Sequence, residues 1–166
     1  MADCVCNIVR DIVEAQDQAN NNNRGNCPTS CESSIQDLLS PGMTNNNGPD
    51  TVPFMLYCEG DCNPFIASGV YRNNGVFNCL ESPIFRAKEF TDDNECCVRL
   101  ELLAPADEIG GVTDVDGDDV CDFFGNTVTN FMATGICITV DLNTFNGIQC
   151  LDAVTPYPYS QFVNNA

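Results

Sequence analysis

The sequence predicts an α+β fold that is mostly β: an antiparallel β-sandwich or barrel preceded by an N-terminal amphipathic helix and a short second helix. Three observations carry that expectation. Apolar residues recur at helical spacing only in the first 40 positions. Beyond position 50 they fall into short alternating runs, each bounded by Gly, Pro, Asn or Asp. A chain of 166 residues with 43% hydrophobic content is long enough for one well-buried domain and short for two.

The first helix is read from Val5, Ile8, Val9, Ile12, Val13 and Gln16, which follow i, i+3, i+4 spacing behind a capping Asp3. An asparagine-rich run over 20–26 breaks it. The expected organisation is therefore a helical arm and linker over 1–26, a cysteine-rich β domain over 27–155, and a flexible tail over 156–166. Periodicity does not say whose surface the arm covers. A second short helix carries Ile35, Leu38 and Leu39 and stops at Ser40, Pro41 and Gly42.

Strands are expected over 51–58, 65–70, 83–90, 96–103, 120–124, 136–142 and 147–151. The stretch 135–151 shows the pattern best: Ile136, Ile138, Val140 and Leu142 share one face, and Cys137, Thr139 and Asp141 the other. A thiol on the face away from the core is available for cross-linking. The same alternation buries Cys96 with Val98, Leu100 and Leu102 and exposes Cys97. Between Cys58 and Cys62, Gly60 and Asp61 suit a tight turn, so that pair is expected to staple a hairpin.

Twelve cysteines and no histidine dominate the chemistry. Six disulfides are possible, yet the start of the chain has no basic leader followed by an apolar run, so synthesis is expected in a reducing cytoplasm with oxidation or metal binding later. Cys27 and Cys31 are three residues apart, one more than a redox motif requires. Two such pairs, Cys27/Cys31 and Cys58/Cys62, make a zinc-binding module the alternative reading, although neither has the spacing of zinc ribbons. The acidic run at 114–119 lacks the glycine position and closing glutamate of an EF-hand and reads as a solvated loop. Without histidine, a Ser, Thr or Cys nucleophile has no usual base. No catalytic residue, metal ligand or cofactor is assigned, and an enzyme is not expected. Six Lys and Arg against 24 Asp and Glu, a net charge of −18, exclude nucleic acid and anionic membrane as partners.

Taken in order, CVCNIVRDIVEAQ, CPTSC, DTVPFMLY, ESPIFRAKEF, ECCVRLELL, VCDFFG, CITVDL and IQCL resemble the family of spore coat proteins CotY and CotZ and the exosporium protein ExsY of endospore-forming bacilli. The resemblance implies a structural protein of the coat or exosporium, made in the mother-cell cytoplasm. It implies self-assembly, as hexameric rings within a disulfide cross-linked sheet, alongside other coat or exosporium proteins. By motif, Cys6, Cys27, Cys31, Cys79, Cys96, Cys121, Cys137 and Cys150 carry over, and Cys4 matches members that read CVC. Cys58, Cys62 and Cys97 look like additions. Thr144 and Asn146 stand where relatives carry cysteines, and the histidine-rich tail of some relatives is replaced by PYPYSQFVNNA. From the arm, Cys4 and Cys6 are expected to bond a neighbouring subunit, with an internal bridge to Cys27 or Cys31 as the competing outcome.

Overall fold

A computed structural model describes residues 4–18, 31–39, 48–91, 96–113, 119–125 and 127–165. Helix α1 (Cys4–Asp17) and helix α2 (Cys31–Leu39) precede seven antiparallel strands: β1 (Phe54–Cys58), β2 (Ala67–Asn73), β3 (Val76–Ser82), β4 (Phe85–Phe90), β5 (Cys97–Ala106), β6 (Asn130–Asp141) and β7 (Phe145–Cys150). The chain thus adopts the mostly β, mixed α+β class read from the sequence. Five strands form one sheet in the order β6-β5-β4-β1-β7, and β2 with β3 forms a separate hairpin.

Alternation sorts the sheet residues onto two faces. One face turns Phe54, Leu56, Phe85, Ala87, Val98, Leu100, Leu102 and Ile136 into the main core, where they meet Val5, Val9, Ile12 and Ala15 of α1 and Leu38 of α2. The helix whose covered surface the periodicity left open is therefore docked on its own domain. Its stripe matches the apolar sheet face, and burying such side chains gains about 1.5–3 kcal/mol each. Polar contacts fix its register: Gln16 Nε2 donates to Ala87 O at 3.0 Å, and Val52 N donates to Gln16 Oε1 at 2.9 Å. The linker over 19–30 lies outside the described residues.

The β2–β3 hairpin lies across β5 and β6. Gly69 allows that approach, because a Cβ there would come within 2.5 Å of Ile136 Cγ2 and 3.1 Å of Leu102 Cδ2. On the opposite sheet face Met55, Ile84, Leu103 and Phe131 form a smaller core. Phe123 is also buried, but 120–123 is a 3₁₀ turn and not the expected strand. Asp119 N donates to the Asp122 carboxylate at 3.0 Å, and this local bond competes with strand pairing.

Described residues of the stretch expected as a flexible tail pack on the sheet. Val154 bridges Thr51, and residues 155–157 run beside β6, with Ala133 N donating to Tyr157 O and Tyr157 N to Phe131 O, both at 2.9 Å. Helix α3 (Tyr159–Asn165) then buries Phe162 against Ala104, Ala106 and Met132. Its Tyr159 ring covers Gly135, whose φ of +74° kinks β6.

Candidate cross-linking surface

The cysteines divide into two populations. Cys6 of α1 is bonded to Cys96 at the head of β5, with Cα atoms 5.9 Å apart; Cys31 of α2 is bonded to Cys150 at the end of β7, at 4.8 Å. Both bridges lie in the seam between helices and sheet, beside the main core. They close loops of 90 and 119 residues. In the chain-entropy model a loop of that size stabilises by about 4–5 kcal/mol, although two overlapping loops do not add. Ser34 reinforces the second clamp by donating to Leu151 O at 2.6 Å.

The bonding of Cys6 corrects the expectation that it clasps a neighbouring subunit. Once α1 lays its apolar stripe on the sheet, Cys6 on that stripe meets Cys96, the residue just before β5, and it is buried. Cys27, the other expected internal partner, lies outside the described residues, as does the side chain of Cys4.

Cys58, Cys62, Cys79, Cys97, Cys121 and Cys137 carry free thiols. The expected staple between Cys58 and Cys62 is absent. Backbone closes that turn instead: Cys58 N donates to Asn63 O at 2.9 Å, Asn63 N donates to the Asp61 carboxylate at 3.0 Å, and Gly60 has φ +104°. Cys62 and Cys121 are exposed at chain reversals, and Cys79 and Cys137 are exposed on strands. Cys96 turns toward the core, while Cys97 faces the other way opposite Asp141; both are half-buried, so Cys97 is less exposed than alternation alone implies.

Beside Cys137 lies the one charged cluster that the sheet buries among the described residues. Glu101, opposite Cys137 on β5, accepts from Arg86 Nη2 at 2.7 Å and Nε at 3.1 Å and from Gly135 N at 2.8 Å, with Lys88 Nζ 3.5 Å away. Burial alone would raise the Glu101 carboxyl, but these donors and cations more than reverse it and hold it below the usual carboxylate range. Arg86 also donates to Thr51 Oγ1 at 3.0 Å. At the other end of the face, Arg99 pairs with Glu89. Partial burial, then the Glu101 charge, push the Cys137 thiol up despite Lys88, Arg99 and Arg86. Burial and Asp61 push Cys58 up in the same way. Most of this cluster escaped the sequence reading, since nothing in spacing alone sets Arg86 opposite Glu101.

Among the described residues no group of three or more His, Cys, Asp or Glu is arranged to hold a metal ion. Cys31 cannot join Cys27 in a thiolate pair while it is bonded to Cys150. Residues 114–118 of the acidic run lie outside the described residues.

These features define a disulfide-clamped, cysteine-rich domain with thiols left over on its surface. The family model for spore coat protein Z matches residues 1–153. The chain is also 32% identical over 153 residues, 92% of its own length and 93% of the relative's, to spore coat protein Z of Bacillus subtilis strain 168. The chain belongs to the spore coat protein Z family, a family of coat structural proteins and not of enzymes. No solved structure matches it.

Proposed function

We propose that this chain is a non-enzymatic building block of the spore's outer layers, coat or exosporium, that self-assembles into an ordered two-dimensional lattice and is then cross-linked by disulfides. The observation that carries the proposal is the partition of the thiols. Two bridges at the helix–sheet seam stabilise the fold from within, while six free thiols sit on strands and turns at or near the surface. No two of those six are bonded to each other inside one chain, which leaves them available for oxidation between copies. A surface with net charge −18 keeps copies apart until screening or protonation lets them meet, and covalent links make the contacts durable. Hexameric rings and other coat or exosporium proteins as partners belong to the same proposal, as does synthesis in the mother-cell cytoplasm.

Electron microscopy of the purified chain tests it. Ordered sheets or rings that resist boiling in detergent, and disperse when reductant is added, are expected. Dispersed monomers under oxidising and reducing conditions alike would overturn the proposal. A zinc content of about one ion per reduced chain would move the reading to a metal-binding module.

A further inference from the structure

The β2–β3 hairpin carries three of the large hydrophobic side chains that are well exposed: Val70 at 62%, Val76 at 59% and Phe77 at 67%. Its tip extends past the core, because residues 74–79 are exposed on both faces. Asn74 and Gly75, at φ +55° and +80°, form the two-residue turn, so Asn73 and Val76 are its closing pair. From that pair, hydrogen-bonded rows alternate with open rows along an antiparallel hairpin. Phe77, Cys79 and Glu81 fall on the open rows and aim their backbone N–H and C=O groups away from β2. No strand pairs with that outer edge among the described residues.

The hairpin is also a place where two copies can meet with little repulsion. Residues 67–82 hold one Arg and one Glu and no other charge, in a chain of net charge −18. Cys79 stands midway along the edge opposite Val70, with its thiol exposed and free. Glu81 is two residues to one side, bonded to Ser68 at 3.2 Å. Phe77 is two residues to the other, with the Arg72 guanidinium 5.0 Å from its ring centre.

We infer that β3 is a self-pairing edge: a second copy adds its own β3 antiparallel, centred on Cys79, and oxidation joins the two Cys79 side chains. The inference rests on the self-assembly proposed above and names one of its contacts. Geometry favours edge over face. Stacked sheet faces hold backbones about 10 Å apart, whereas hydrogen-bonded antiparallel partners sit with Cα atoms about 5.5 Å apart. A disulfide needs roughly 4.4–6.8 Å. In this register the Phe77 of each copy lies opposite the Glu81 of the other, and the Arg72 stacked on that ring is brought beside the same Glu81. The two-fold therefore makes two Arg72–Glu81 pairs. In the covalent step the two thiols lose two protons and two electrons to dioxygen, which becomes hydrogen peroxide, and one S–S bond forms.

The test is a peptide map of the full chain, oxidised in air, alkylated and digested without reductant. A Cys79 peptide linked to a second Cys79 peptide is expected, and it can come only from two chains. Oligomers in which Cys79 is alkylated, or linked to another cysteine, would overturn the inference and leave self-assembly standing; a chain that stays monomeric would overturn both. A variant separates pairing from chance collision. Phe77→Pro removes an outward N–H that the hairpin itself does not use, and edge positions tolerate proline. It is expected to keep the parent's circular dichroism and to form the Cys79 link at least about tenfold more slowly, as two lost hydrogen bonds per dimer imply. An unchanged rate would refute edge pairing.

Discussion

Replacing Cys6 and Cys96 together by alanine opens the clamp between α1 and β5 without leaving a stray thiol. The bridge closes 90 residues, for which the chain-entropy relation gives about 4.6 kcal/mol. The Cys31–Cys150 bridge already shortens the unfolded chain, so the loss attributable to Cys6–Cys96 falls to about 4 kcal/mol. A domain of this size shifts its Tm by about 2–4 °C per kcal/mol, so the melting point should drop by about 8–16 °C. Helix α1 should stay docked below the transition, because Val5, Val9, Ile12 and Ala15 remain buried and Gln16 keeps both hydrogen bonds. Calorimetry on alkylated, monomeric parent and variant measures the drop, and hydrogen exchange of 5–16 reports the docking. A shift under about 2 °C would refute the reasoning, since it would mean that the bridge does not restrict the unfolded chain as its loop length requires.

Further outcomes follow from the same contacts. Glu101→Ala leaves Arg86 half-paired in the sheet and should cost about 3–5 kcal/mol in denaturant unfolding. Because the folded Glu101 carboxyl lies below its ordinary value of 4.5, its contribution is present above that value and is lost as pH falls through the lower folded one; Glu101→Gln should remove that part of the acid dependence. Alkylation of Cys137 should accelerate only above the ordinary thiol range, and Glu101→Gln should lower its midpoint, as rates against pH will report. Gly135→Ala puts a side chain at φ +74° against the Tyr159 ring and should destabilise by about 1–3 kcal/mol, with faster exchange in α3. Assembly at low salt should be promoted by calcium or by lowered pH, and light scattering that stays flat through a calcium titration would contradict this.

How much of this was legible in the sequence depends on the range of the interaction. The stripe of α1 and the alternation of β6 follow from local periodicity, so Val9, Ile12, Ile136 and Cys137 fall where their spacing puts them. The destination of α1 does not, because an apolar stripe names no partner. Cys6 and Cys96 are 90 residues apart, and twelve cysteines allow too many pairings for spacing to select one. Strand β3 was missed because its first four residues are exposed on both faces and show no alternation to read. Its one local signal was the Asn74–Gly75 dipeptide, a strong hairpin marker. Over 120–124 an apolar run suggested a strand, but Asp119 and Asp122 bond locally and turn it into a 3₁₀ segment. Helix α3 rests on a single buried aromatic, Phe162, too little for a periodic signal.

The partition of the cysteines is tested most directly by one disulfide map of an assembly grown from an equal mixture of ¹⁴N- and ¹⁵N-labelled chains. Bridges within a chain yield peptide pairs of a single isotope, and bridges between chains yield mixed pairs in about half of the molecules. Cys6–Cys96 and Cys31–Cys150 should appear as single-isotope pairs alone. Mixed pairs should come from the six thiols that are free in one chain. Mixed-isotope pairs containing Cys6 or Cys31, or an assembly in which every surface thiol remains alkylatable, would contradict the account.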